Sequence, residues 1–214
     1  METEILTIFN EHQKPIGTAT REEVHRLGHW HETFHCWFVA RENGQDMLYL
    51  QLRSPMKKDY PNLLDITAAG HLLTTESVED GVREIQEETG IAVAFEDLHS
   101  LGIIPYSMRN SDMIDNELAH VYVYHTEHKM NDFHVQPEEV AGIYKVALQD
   151  FSKVWSSELE NIPCLGFTHS EYGEQLFNEK MISKSDLVPH PDSYYEAVIR
   201  GIYENLLKGR EICH

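Results

Sequence analysis

The sequence predicts an α+β domain, and three observations carry that prediction. Apolar runs of strand length recur between Glu4 and Leu148, and two of them are joined through Asn43-Gly44, a pair that favours hairpin turns. A few longer stretches place apolar residues at helical spacing, the clearest from Ser193 to Lys208. Hydrophobic residues make up 41% of the 214-residue chain, enough for a proper core. Strand order does not follow from this pattern, which α+β and α/β architectures share.

Residues 4–9, EILTIF, read as a strand followed by a turn. Thr20 and Glu23 form a capping box that opens a short helix, and Gly28 ends it. Thr33 to Arg41 and Met47 to Arg53 read as the paired strands of the hairpin, and Leu64 to Ala69 as a strand leading into Gly70. At about 100° per residue, Val78, Val82, Ile85 and Thr89 share one stripe, which predicts a helix that Gly90 stops. Leu98 to Tyr106 and Ala119 to His125 read as strands, with a polar loop, SMRNSDMIDNE, overhanging a site between them. Val140 to Leu148 reads as a strand, and Asp150 as the cap of a helix reaching about Glu160. Pro163 and Gly166 mark a break, after which Ser170 to Lys180 and Ser193 to Lys208 read as two helices. The division expected is a core domain at 1–160 and a helical extension at 161–214. Tyr195, Val198, Ile199 and Ile202 give the last helix a face to pack on the core.

The 36 acidic residues outnumber 17 basic ones, for a formal charge of −19. Such a surface repels nucleic-acid backbones and anionic membranes, so neither is expected as a partner, and a phosphorylated ligand needs local cations. Cys36, Cys164 and Cys213 are widely spaced, without a Cys-x-x-Cys pair, which fits a reducing cytosol. The opening METEILTIFNEHQKP lacks the apolar core of a signal peptide, and no run approaches the length of a membrane span. A soluble cytoplasmic protein is expected.

Candidate chemistry concentrates between Gly70 and Ile91, GHLLTTESVEDGVREIQEETGI. Glu84, Glu87 and Glu88 sit at i, i+3 and i+4, opposite the apolar stripe, where like charges destabilise a helix by a few tenths of a kcal/mol per pair. A cation held between them removes that repulsion; an ordinary solvated face is the alternative. Elsewhere, HRLGHWHETFH holds His25, His29, His31 and His35, and Arg53, Lys57 and Lys58 are the notable basic group of this half.

The Gly70–Ile91 stretch resembles the Nudix box, G-x(5)-E-x(7)-R-E-U-x-E-E-x-G-U, with U a bulky aliphatic. Gly70, Glu76, Arg83, Glu84, Ile85, Glu87, Glu88, Gly90 and Ile91 occupy every specified position. One departure stands out: six residues rather than seven separate Glu76 from Arg83, which leaves the placement of Glu76 open. The flanks, among them YLQLRSPMKKDYP and LDITAAGH, resemble the Nudix branch related to isopentenyl-diphosphate isomerase, over roughly Glu4 to Leu148.

The resemblance implies an α/β/α sandwich around a mixed sheet, here with a helical C-terminal extension. It implies hydrolysis of a diphosphate linkage in a small organic diphosphate, either a nucleoside diphosphate derivative or a prenyl diphosphate. Mg²⁺ or Mn²⁺ is the implied cofactor and a homodimer the implied assembly. Glu84, Glu87, Glu88 and the carbonyl of Gly70 are implied metal ligands, with Arg83 holding Glu76 or a ligand carboxylate. Glu117 is implied as a further ligand or general base, and Arg53 and Lys57 as the pair that holds the diphosphate. His25, His31 and His71, with Asp115 and Glu117, match positions where the isomerases bind a metal, although the His25–His31 spacing is one residue short of some relatives. Imidazole ligands there favour Mn²⁺ or Zn²⁺ over Mg²⁺.

Isomerases of this branch place a catalytic Cys directly before the Gly-His, where this chain has Ala69. A methyl group can neither give nor take a proton, so hydrolysis is favoured over isomerisation. A catalytically silent ligand sensor is the remaining alternative, disfavoured by the intact carboxylates. Trp30 and Tyr106 are candidates to line a pocket for a base or an apolar tail, with core packing the favoured reading, and His29 and His35 carry no assignment.

Overall fold

The computed structural model describes residues 4–110, 113–170 and 173–211. Strands β1 (Ile5–Phe9) and β2 (Pro15–Thr20) form a hairpin and lead into helix α1 (Arg21–Leu27). Strands β3 (Trp30–Glu42) and β4 (Gln45–Arg53) follow, then the short β5 (Leu64–Asp65) and β6 (Ala68–His71). A 3₁₀ turn at Val78–Gly81 runs into α2 (Val82–Thr89), and then come β7 (Leu98–Arg109), β8 (Ile114–His125) and β9 (Val140–Ala147). Helix α3 (Leu148–Trp155), strands β10 (Ile162–His169) and β11 (Gln175–Ile182), and helix α4 (Asp192–Glu211) complete the described chain.

One mixed sheet runs β11-β10-β9-β4-β3-β1-β2, with β5 on β4, β6 and β8 on β3, and β7 on β8. Most of its pairs are antiparallel, and β3 with β8 is parallel. Side chains alternate across β3, so its two faces build two cores. Phe34, Cys36 and Phe38 pack with Ile85 of α2, whereas Trp37 and Val39 pack with Phe151 of α3 and with Tyr195, Val198 and Ile202 of α4. Helices thus cover both faces, as the sandwich expectation requires. On one side Trp155 stacks on Tyr195 at 4.0 Å between ring centroids.

The site lies where β3 changes partners. It pairs with β4 from Val39 to Glu42 and with β6 from Thr33 to Cys36, while the end of β4 turns away to pair with β5. The sheet forks there, and the fork opens a cavity of about 320 Å³.

Several elements differ from the sequence expectation. Ser170 to Lys180 is not a helix: β10 and β11 pair antiparallel and extend the sheet past β9, so the C-terminal extension is only partly helical. Most of β11 is exposed on both of its faces at the sheet edge, so it lacks the two-residue alternation that marks a half-buried strand. Asp150 does not cap its helix, which begins at Leu148 behind Ala147 and ends at Trp155. The expected overhanging loop is shorter, because Asp115, Asn116 and Glu117 belong to β8. The capping box at Thr20, the left-handed Asn43 and Gly44 of the hairpin turn and the Gly90 stop are all present. Cys213 lies outside the described residues. Among the described residues, no helix is long and apolar enough to cross a membrane.

Candidate active site

Helix α2 presents its acidic side to the cavity while Ile85 and Thr89 anchor it in the core. Glu84 and Glu88, one turn apart, point inward, and the Glu87 side chain stands 53% exposed at the rim. Gly70 of β6 passes directly over Glu84. A Cβ at position 70 would lie 2.1 Å from the Glu84 carboxyl carbon, so any larger residue there pushes that carboxyl out of its present place. The Glu88 carboxylate accepts from Gln51 Nε2 at 3.0 Å and from the Ala69 amide at 2.8 Å. Burial, then the charge of Glu84, pushes Glu88 up to about 8, and burial pushes Glu84 up to about 7 against the pull of Arg83.

Arg83 ties this helix to the loop before it. Its guanidinium donates to Glu76 at 2.5 and 3.0 Å, to Glu84 at 2.5 Å and to the His71 carbonyl at 3.0 Å. The missing residue between Glu76 and Arg83 therefore does not displace Glu76; the 3₁₀ turn at Val78–Gly81 covers the interval instead.

Cations line the opposite wall. Arg53 donates from Nη1 to Asp65 at 2.9 Å and from Nε and Nη2 to the Asp59 carbonyl at 3.2 and 2.9 Å. Asp65 also accepts from His190 Nε2 at 3.0 Å and from the Ile66 amide at 2.8 Å. Burial works to raise the Asp65 carboxyl, but the hydrogen bond from His190 and the nearby charges hold it down at about 2. Lys57 pairs with Glu139 at the mouth, and Arg21 of α1 lies 3.8 Å from Glu4. Ile66, Met108, Met113 and Val188 add apolar side chains to the lining.

A third group assembles where β3 meets α1, β6 and β8. Pairing sets His31 opposite Glu117 and Thr33 opposite His71, and His25 enters from the last turn of α1. The rings of His25, His31 and His71 lie 5.1 to 5.2 Å apart. His25 Nε2 and His31 Nε2 stand 3.5 and 3.6 Å from Asp115 Oδ1. His31 Nε2 and Asp115 Oδ1 are both buried without a hydrogen-bond partner, an arrangement that costs about 1–3 kcal/mol per group unless something else engages them. Ligand atoms of His25, His31 and His71 fall within 4.8 Å of one another, as do those of His31, Asp115 and Glu117. Burial, then the charge of His71, lowers His31 to about 4, which leaves a neutral imidazole able to donate a lone pair.

Glu117 is bound on one oxygen by three donors. Thr33 Oγ1 reaches Oε2 at 2.8 Å, the Tyr106 hydroxyl at 2.7 Å and His35 Nε2 at 3.0 Å. Burial opposes ionisation, yet His35 foremost, then the charge of His31 and the Tyr106 hydroxyl, hold the carboxyl well below its ordinary range. Glu117 is therefore a fixed anion.

The fork thus gathers the residues singled out in the sequence. Glu84, Glu88, Gly70, Arg53, Lys57 and Glu117 line one cavity together with His25, His71, Arg83 and Asp115. His31 sits fully buried beside His25 and His71. Trp30 is not among the lining residues, whereas Tyr106 is buried in the core as expected and also contributes its hydroxyl to the site. The sequence reading missed Arg21, His35, Asp65 and His190. Strand alternation through His31, Thr33 and His35 carried a signal for His35; nothing local pointed to His190, which arrives from beyond β11.

The NUDIX domain matches residues 29–170. An uncharacterised Nudix hydrolase of Clostridium acetobutylicum is 37% identical over 205 residues, spanning 96% of this chain and 100% of that protein. The isopentenyl-diphosphate isomerase of Corynebacterium diphtheriae is 34% identical over 93 residues, 42% of this chain and 49% of that one. The crystal structure of a MutT protein from Methanosarcina mazei superimposes with a TM-score of 0.51 at 17% identity, over 82% of this chain and 95% of that one, a likeness of fold. A domain match that takes in β3, β8 and the acidic helix, together with a relative aligned along nearly the whole chain, places this protein in the Nudix hydrolase family.

Proposed function

We propose that the enzyme cleaves a diphosphate linkage in a small organic diphosphate with water and a divalent metal ion. The observation that carries this reading is the pair Glu84 and Glu88, buried in one cavity and facing Arg53 and Lys57. Two carboxyls whose ionisation is resisted by burial and by neighbouring carboxylates form a site that a divalent cation completes. Glu84, Glu87, Glu88 and the Gly70 carbonyl offer hard oxygens that fit Mg²⁺ or Mn²⁺. His25, His31, His71, Asp115 and Glu117 offer a mixed set that fits Mn²⁺ or Zn²⁺, and the orphaned His31 Nε2 and Asp115 Oδ1 support a second cation there. Bound metal would supply charge neutralisation of the diphosphate and a more acidic water.

The chain's own residues account for the rest. Arg53 and Lys57 bind phosphate oxygens and bring a doubly charged group into an acidic protein. Arg83 is engaged by Glu76, Glu84 and the His71 carbonyl, so it orients carboxylates. Attack by water forms one P–O bond while the P–O bond to the bridging oxygen breaks, and the water's proton leaves to a basic carboxylate of α2 or to solvent. Glu117, held ionised chiefly by His35, serves as a ligand in preference to a proton carrier. Ala69 lines the cavity with its amide committed to Glu88, and its methyl offers no group for proton transfer to carbon, which favours hydrolysis over isomerisation.

The test is release of phosphate or organic phosphate from nucleoside diphosphates, nucleotide sugars and prenyl diphosphates, with titrated Mg²⁺ and Mn²⁺. Metal-dependent turnover of one class is expected. No turnover of any diphosphate at saturating metal would overturn the reading. Hydrogen exchange into isopentenyl diphosphate from heavy water would establish isomerisation instead.

A further inference from the structure

His35, which donates to the Glu117 carboxylate, is itself contacted from beyond the matched NUDIX segment at 29–170. Tyr194, in the first turns of α4 and 1% exposed, points its hydroxyl between Trp37 and His35 of β3. The two neighbours make different demands on it. Trp37 Nε1 carries a hydrogen and can only donate, so at 3.3 Å the Tyr194 oxygen is its acceptor. The phenol then has one proton to place, and His35 Nδ1 lies 2.8 Å away. Were His35 to carry a hydrogen on Nδ1, the phenol proton would have no partner in a fully buried setting, at a cost of about 1–3 kcal/mol. The arrangement that satisfies every group has Tyr194 donating to Nδ1, which leaves the imidazole hydrogen on Nε2. That hydrogen faces Glu117 Oε2 at 3.0 Å.

We infer that Tyr194 is a positioning residue for the active site, selecting the His35 tautomer whose Nε2–H holds Glu117 in place. The inference rests on the reading of Glu117 as a metal-binding carboxylate. Thr33 and Tyr106 reach the same oxygen, so His35 is the one of its three donors whose hydrogen can shift to another atom of the ring. A His35 ring with its hydrogen on Nδ1 would turn a lone pair towards an anion, and Glu117 would swing away from His31 and Asp115. The C-terminal helix is on this account part of the catalytic unit. Partners that orient a ligand carboxylate typically govern metal affinity or activity by about 10–100-fold.

The test uses the full chain and Tyr194→Phe, which keeps the ring and removes the hydroxyl. Nitrogen-15 NMR of the imidazoles is expected to show the Nε2–H tautomer of His35 in the parent and a loss of that single form in the variant. Calorimetric titration with Mn²⁺ is expected to show affinity weakened about tenfold or more, and on the substrate found active kcat is expected to fall with KM little changed. Tyr195→Phe is the control, since its hydroxyl, one residue along the same helix, donates to the Val188 carbonyl at 2.8 Å and does not reach His35. It is expected to lower Tm while leaving Mn²⁺ affinity and the His35 signals unchanged. An unaltered His35 tautomer with unaltered Mn²⁺ affinity in Tyr194→Phe would overturn the inference, as would equal losses of affinity in both variants. Neither readout needs turnover, so failure of the hydrolase reading and failure of this one are distinguishable.

Discussion

Glu88 is the carboxyl in which structure and chemistry are most opposed, being 6% exposed and yet required as an anion if it is to hold a cation. Glu88→Gln keeps an oxygen for Gln51 and the Ala69 amide, so the fold is expected to stand. The charge is lost, and kcat is expected to fall by about two orders of magnitude or more, the scale of losing a preorganised electrostatic contact. Steady-state kinetics at saturating metal would check this, and a change of only a few-fold would place the essential metal elsewhere. His190 acts at the other wall. Its bond to Asp65 fixes the carboxylate that directs Arg53, so His190→Ala frees Arg53 from one of its guides. KM for the diphosphate is expected to rise about tenfold with a smaller change in kcat, because binding geometry is lost while the α2 carboxylates are untouched.

The elements differ in how plainly their sequences announced them. Helix α2 was legible because carboxylates, apolar stripe and stop glycine all agree on one helix. The N-terminal end of β8 was not: Asp115 and Glu117 face a polar cavity, so their strand alternates polar with polar and resembles a loop. Edge strand β11 was hidden for a related reason, since exposure on both faces erases the period. Two glycines show which local features serve the site and which serve the fold. Gly70→Ala places a methyl group where the Glu84 carboxyl lies and is expected to lower kcat/KM about a hundredfold, while its strand conformation accepts alanine. Gly44→Ala, in the left-handed hairpin turn at φ 82° with open space around it, is expected to cost about 1 kcal/mol of stability and no activity. Thermal melts and kinetics on the two variants would separate these effects, and an active Gly70→Ala enzyme would contradict the close approach.

At the scale of the whole molecule, the cavity unites charges that cannot all be satisfied by protein alone, and this tension makes stability depend on pH and metal together. The candidate carboxylates were readable from the sequence because they lie within one short stretch; their energetic conflict was not, since it depends on burial at a fork made by distant strands. Glu84 and Glu88, raised from an ordinary 4.5 to about 7 and about 8, stay protonated in the fold at pH values where the unfolded chain has released those protons. The native state then binds more protons, so unfolding free energy falls with rising pH, by up to about 1.4 kcal/mol per pH unit for each group. His31 acts oppositely. Lowered from 6.5 to about 4, it makes the metal-free fold more stable as pH rises towards 6.5, and contributes no further change above that. His71, also lowered, has the same sign. Glu117 and Asp65, both depressed, lose their contribution only in acid, below the ordinary carboxylate range. Between pH 6.5 and 8 the α2 carboxylates therefore stand unopposed within the site, and the Tm of metal-free protein is expected to decline across that window. A divalent ion favours the ionised carboxylates, so the Tm gained on adding Mg²⁺ or Mn²⁺ is expected to grow from pH 6.5 to pH 8, and Glu88→Gln to flatten both trends. Differential scanning fluorimetry in chelator and in excess metal reads all three quantities. A metal-induced gain that stays constant over this range would show that Glu84 and Glu88 do not take up the ion.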